Sequence, residues 1–176
     1  MEKLKKLAGI LFMLLFLLSI VTFSGCGTIA KTQDISQNEK QSIIAQAISY
    51  QTEGGVYNAD TYEVTKLKKG DIIYGMLPGQ SAFYLDNATK DLGKGSYKTI
   101  YALAQIRPHP VYGYRTILGK YEVLEDIYVP CGICLANKTI TIDGKNENLG
   151  AGGGFQYVIF DYERKLKLLE EKTLNE

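Results

Sequence analysis

The chain has 176 residues, with 20 basic and 19 acidic side chains, a single histidine and a formal net charge of +1. So even a balance excludes the basic surplus of a nucleic-acid-binding protein, and no nucleic-acid partner is expected. Thirteen tyrosines, 18 glycines and no tryptophan describe a β-rich, turn-rich domain with aromatic surfaces.

The first residues form three zones. Lys3, Lys5 and Lys6 make a positive cluster, and Leu7 to Phe23 is almost wholly apolar but short for a stable membrane span. Ser24-Gly25-Cys26 follows at once. This order resembles a bacterial lipoprotein signal, with Phe23 where leucine is commonest. The resemblance implies cleavage before Cys26, acylation of that cysteine, and a domain held at the extracytoplasmic face of the cell membrane. The competing reading is an uncleaved anchor helix with an incidental cysteine. Cleavage would remove Lys3, Lys5, Lys6 and Glu2, leaving 17 basic and 18 acidic side chains and a net charge of −1. The predicted organisation is a signal peptide over residues 1–25, a polar tether over 26–40 and one globular domain over 41–176.

Within that domain, Glu39 to Tyr50 reads as a short amphipathic helix with Ile43, Ile44, Ala47 and Ile48 on one side, broken by Gly54-Gly55. Val64 to Met76 reads as strand, turn, strand, with the turn at Lys69-Gly70. Ala82 to Leu85 is a further extended segment. Tyr97 to Ile106 reads as a helix, although a buried strand of that length has the same pattern. Arg107 to Gly119 is a polar-aromatic loop. Tyr121 to Val129 alternates as a strand, as do Thr139 to Ile142 and Gln156 to Tyr162, and Glu163 to Lys172 reads as a closing helix. The expected class is α+β, a single domain with a mostly antiparallel sheet and a few short helices.

Three stretches are candidates for a site. Gly152-Gly153-Gly154 leads into Phe155-Gln156-Tyr157; a side-chain-free run can approach another group closely or turn several N–H groups toward an anion, and Gln156 supplies a donor and an acceptor. A flexible hairpin loop leaves the same trace. Phe83 and Tyr84 follow a glycine- and proline-bearing loop and offer rings for stacking, as a tyrosine-rich core also would. Arg107-Pro108-His109-Pro110-Val111-Tyr112-Gly113-Tyr114-Arg115 holds the only histidine between two prolines, flanked by two arginines able to grip phosphate or carboxylate. A solvated surface loop is the alternative. Cys131-Gly132-Ile133-Cys134 is a CxxC, but Leu135 to Ile140 is a poor helix, so a local disulfide or two free thiols fits better than a redox centre. Two cysteines and one histidine do not fill a structural zinc site, and neither metal nor cofactor is expected.

The order Tyr121-Glu122-Val123, Val129-Pro130-Cys131-Gly132 and Gly152-Gly153-Gly154-Phe155-Gln156-Tyr157 resembles the C-terminal half of the tuberculosis necrotizing toxin family of NAD glycohydrolases. The similarity runs from about Leu67 to Leu169, and the GGGxQY element is its distinctive part. That family has an arginine where this chain has Tyr74, so Arg107 or Arg115 would have to replace it. About ten residues near Lys138 to Asn148 are inserted relative to the family, and His109 lies earlier relative to Tyr121. The resemblance implies NAD as substrate, Gln156, His109 and Arg115 as catalytic residues, and Gly152, Gly153, Gly154, Arg107, Phe83 and Tyr84 as substrate-binding residues. It leaves room for an immunity protein as partner. The alternative is a non-enzymatic surface lipoprotein that binds a ligand or partner through the 107–115 loop.

Overall fold

The computed structural model describes residues 34–176, apart from 56, 80, 110, 138, 139, 143 and 144. The signal over 1–25, Cys26 and the tether up to residue 33 lie outside the described residues. Residues Ile35–Glu176 form one compact unit, and no helix among the described residues is long and apolar enough to cross a membrane.

Helix α1, Gln37–Thr52, starts earlier than the sequence pattern suggests, inside the predicted tether, because Ser36 and Glu39 form a capping box. The Ser36 hydroxyl accepts from the Glu39 N–H while the Glu39 carboxylate accepts from the Ser36 N–H, satisfying donors the first turn would leave bare. The Ser36 contacts also hold the Glu39 carboxyl below its ordinary value. A short 3-10 turn, Glu53–Gly55, ends this segment.

Strands β1 (Glu63–Leu67), β2 (Ile72–Leu77) and β3 (Phe83–Leu85) precede helices α2 (Asn87–Leu92) and α3 (Tyr97–Ala104). Both helices are capped by side chains, Asp86 and Ser96. Strands β4 (Ile117–Val123), β5 (Ile127–Leu135), β6 (Ile140–Ile142), β7 (Lys145–Glu147) and β8 (Gly152–Val158) follow, then a four-residue helix α4 (Tyr162–Lys165) and strand β9 (Leu166–Thr173). Seven strands form one sheet in the order β1-β5-β8-β3-β2-β4-β9, and its pairings are antiparallel; β6 and β7 pair separately. The α+β class with a mostly antiparallel sheet is the one the sequence predicts.

Three further differences from the sequence reading concern the sheet. The extended run from Tyr121 breaks at Leu124-Glu125-Asp126, giving two strands that lie far apart in the sheet. The predicted closing helix is mostly β9, although Leu, Lys and Glu favour helix. Here β4 needs a partner on its open edge, and residues 166–173 supply a ladder from Val123↔Leu166 to Ile117↔Thr173 with one bulge between Lys120 and Tyr121. Gln156 does not open its strand: β8 starts at Gly152 and is central, with Gln156 opposite Leu85 on one side and Gly132 on the other.

The pleat sorts the core into two faces. Ile73, Tyr84, Tyr121, Val123, Ile127 and Val129 pack on one, where Tyr84 and Tyr121 meet edge-on with centroids 5.3 Å apart. Tyr74, Met76, Leu85 and Leu118 lie on the other with Ile100, Tyr101 and Ala104 of α3. The helix-covered face carries the site.

Candidate functional site

Gln156 is 4% exposed and stands on the helix-covered face, directly across from Leu85. Alternation places Phe83, Leu85 and Gln156 on that face and Tyr84 on the opposite one. Accordingly, Phe83 and Gln156 line a cavity of about 620 Å³, and Tyr84 is buried against Tyr121 and Tyr162. Of the two rings offered for stacking, Phe83 alone is available; the expectation for Tyr84 is corrected. The Tyr84 hydroxyl has no hydrogen-bond partner among the described residues, and burial raises its pKa.

Arg107, His109 and Arg115 line the same cavity, together with Tyr57, Tyr101 and Gln105. The volume is in the range of small-molecule sites, roughly 300–1,000 Å³. Two tyrosine hydroxyls pin the ends of the arginine loop: Tyr57 accepts from the Arg107 N–H at 3.2 Å and Tyr101 from the Arg115 N–H at 2.6 Å. Between them His109 and Gly113 exchange two backbone hydrogen bonds at 2.9 and 2.8 Å. Burial raises the pKa of Tyr57 and Tyr101, so both hydroxyls keep their protons at neutral pH. The guanidinium Nε of Arg107 is buried without a hydrogen-bond partner among the described residues, leaving a charged donor for a bound acceptor.

The His109 ring is held too. Its Nδ1 accepts from the N–H groups of Val111 and Tyr112 at 3.1 and 3.2 Å, and it stacks on Tyr112 with centroids 4.7 Å apart. In the neutral ring the proton therefore sits on Nε2, which can donate to a ligand.

The glycine run does a different job from the one expected. Gly152, Gly153 and Gly154 are not among the residues lining the cavity. A Cβ on Gly154 would lie 2.8 Å from the Leu103 carbonyl oxygen, and one on Gly152 2.4 Å from that of Cys134. The run lets α3 and β5 approach β8 closely, which sets the depth of Gln156 beneath the helix.

Sequence reasoning missed the partners of Gln156. Its Nε2 donates to Asp60 Oδ2 at 2.8 Å and to the Tyr62 hydroxyl at 3.1 Å. Gln51 from α1 donates to the same carboxylate oxygen at 2.7 Å, and Asp60 Oδ1 accepts from the Leu135 N–H at 2.7 Å. Asp60 is 4% exposed, and burial raises its pKa against the opposing pull of these hydrogen bonds. One signal was present: Gln51 continues the stripe Ile44, Ala47, Ile48 at helical spacing, a polar side chain on an apolar face.

Cys131 and Cys134 are free, buried thiols. Burial pushes them up to about 11 and about 12, the opposite of a reactive redox pair. Because the fold favours the neutral thiols, their contribution to stability is complete below the unfolded value of roughly 8.5. It is lost as pH rises through 11–12. The native chain should leave both thiols unmodified by iodoacetamide at pH 8, with mass spectrometry showing both alkylated once denatured; prompt native labelling would contradict their burial. Among the described residues, no cluster of three or more His, Cys, Asp or Glu is placed to hold a metal ion.

An open antiparallel sheet covered by helices thus carries one cavity lined by two arginines, one oriented imidazole and one fixed amide, of the size of a small-molecule site. The family it belongs to is that of the Rhs1 C-terminal toxin domain, which matches residues 39–161. The chain is similar to the structure described as Rhs1-CT in complex with cognate immunity protein RhsI1, at 27% identity and a TM-score of 0.66, over 81% of this chain and 99% of that one. It also matches the structure of Tse6 in complex with Tsi6, at 12% identity and a TM-score of 0.40, over 78% and 99% of the two chains. No curated protein matches. The resemblance to a toxin family thus holds, with the Rhs1 C-terminal domain as the family shown in place of the tuberculosis necrotizing toxin.

Proposed function

We propose that this toxin domain is an NAD⁺ glycohydrolase, cleaving the bond between nicotinamide and ribose. The observation that carries this reading is that Gln156 lines one cavity with Phe83, His109, Arg107 and Arg115. In the reaction, the bond from ribose C1′ to the pyridinium nitrogen breaks and nicotinamide leaves with the bonding pair, neutralising its ring. Water adds to C1′ and releases a proton, giving ADP-ribose and nicotinamide. With so good a leaving group, the protein has to place the dinucleotide, stabilise the positive charge developing on ribose and orient water.

Arg107 and Arg115 carry the charge complementary to a pyrophosphate, His109 Nε2–H supplies a donor and Phe83 a ring face. Gln156, a buried polar group of the lining, is suited to a ribose hydroxyl or the incoming water. Incubation of the chain with NAD⁺ should yield nicotinamide and ADP-ribose in equal amounts by chromatography. Binding without either product would favour the non-enzymatic reading, and absence of both binding and turnover would remove NAD⁺ from the account. R107A should raise KM for NAD⁺ about 10- to 100-fold with a smaller change in kcat, since a hydrogen bond to a charged group contributes about 1.5–3 kcal/mol. An unchanged KM would take Arg107 out of the binding site.

The reading extends to export and lipid attachment at Cys26, which would place the domain at the extracytoplasmic membrane face. Radiolabelled palmitate incorporated into the chain but not into C26A tests it. An immunity partner is proposed on the likeness to Rhs1-CT, whose structure holds its cognate immunity protein. Val111 and Tyr112, 77% and 83% exposed beside the cavity-lining His109, are the surface such a partner would cover.

A further inference from the structure

Gln156 reaches the cavity at the end of a hydrogen-bond chain whose polarity has one solution. A carboxylate only accepts, so Asp60 Oδ2 must face the amide nitrogens of Gln51 and Gln156, at 2.7 and 2.8 Å. Gln51 then turns its oxygen toward the Asp60 N–H at 2.9 Å and the Tyr62 hydroxyl at 3.1 Å. With its proton spent on Gln51, the Tyr62 oxygen accepts the other N–H of Gln156 at 3.1 Å. Both Gln156 N–H groups are thereby committed to the protein. Its Oε1 is the hydrogen-bonding atom left for the cavity.

We propose that Asp60 is a positioning residue that fixes the orientation of the Gln156 amide, so that the site offers its ligand a hydrogen-bond acceptor and selects a hydroxyl, an amide N–H or water at that point. This deepens the glycohydrolase reading and rests on it for the role of the oxygen, while the orientation itself stands on the network. The partners come from α1, from the segment before β1, from β5 and from β8, so one buried charge aligns a side chain 96 positions away in sequence. An amide in place of the carboxylate cannot reproduce this. It carries an N–H, and in either rotamer that N–H meets another donor, the Leu135 N–H on one side or the two glutamine NH₂ groups on the other. Relief comes from turning Gln156 over and presenting NH₂ to the cavity.

The test uses the ¹⁵N-labelled full chain, with the Gln156 side-chain cross-peaks identified by their loss in Q156A. In wild type the two amide protons should exchange slowly; in D60N they should shift and exchange at least ten-fold faster. Unchanged peaks in a folded D60N would overturn the proposal. Should D60N not fold, wild type answers alone. The titratable groups facing Asp60 are Tyr62 and Cys134, both raised by burial and neutral across the acid range. The Gln156 protons should therefore follow a single titration above the ordinary aspartate value, and a profile that stays flat until the protein unfolds in acid would refute the coupling. These spectra decide the orientation even if wild type leaves NAD⁺ intact, an outcome that would sink the glycohydrolase reading alone. If NAD⁺ is cleaved, D60N should lower kcat at least ten-fold with KM within two-fold; unaltered kcat would overturn the positioning role.

Discussion

Replacing Gln156 by alanine should lower kcat for NAD⁺ cleavage by about two to three orders of magnitude, the effect of deleting one preoriented polar group from an active site. The change also removes a donor from Asp60 and one from Tyr62. Asp60 keeps its bonds from Gln51 and Leu135, so the fold should survive with a loss of about 1–3 kcal/mol. Stability and turnover must therefore be read separately. With a thermal transition still above the assay temperature, the rate deficit belongs to the chemistry. If per-molecule turnover is unchanged, Gln156 is a structural amide and the mechanism falls.

The second large effect is on stability. Gly152 has φ +71°, and a Cβ there would lie 2.4 Å from the Cys134 carbonyl oxygen and 3.0 Å from the Ala136 nitrogen. G152A combines a strained backbone with overlap against backbone atoms that have little room to move, for an expected loss of about 2–4 kcal/mol. At roughly 2–4 °C per kcal/mol, that is about 10 °C in the thermal midpoint. Gly153 is the internal control: its φ is +90°, but a Cβ would meet nothing within 4 Å. G153A should therefore lose only the conformational part, about 1 kcal/mol. Equal losses at the two positions would contradict the packing role, and a KM for NAD⁺ raised by both would restore the glycines to the binding site.

The sheet was largely legible because its strands carry a period-two pattern; Ile72 to Met76 and Gln156 to Val158 are extended where the sequence predicts. What local pattern could not show is which strands pair. Val64 and Ile72 flank one turn, yet β1 joins β5 while β2 lies between β3 and β4. Residues 166–173 have helix-forming side chains and become strand because β4 offers an unpaired edge. In the site, His109, Arg107 and Arg115 were visible as an unusual loop, and the structure brings all three to one cavity with Gln156. Tyr84 was lost to pleat parity and the glycines to packing. Asp60 carried no local signal, since its importance lies in a contact with a residue nearly a hundred positions later.

The most direct measurement is a crystal structure of the chain with an NAD⁺ analogue whose nicotinamide ribose has a methylene in place of the ring oxygen, so that it binds without being cleaved. The predicted complex has that sugar within hydrogen-bond reach of Gln156 Oε1 and the pyrophosphate between Arg107 and Arg115. An analogue seated elsewhere, or in this cleft with its nicotinamide ribose turned away from Gln156, would contradict it.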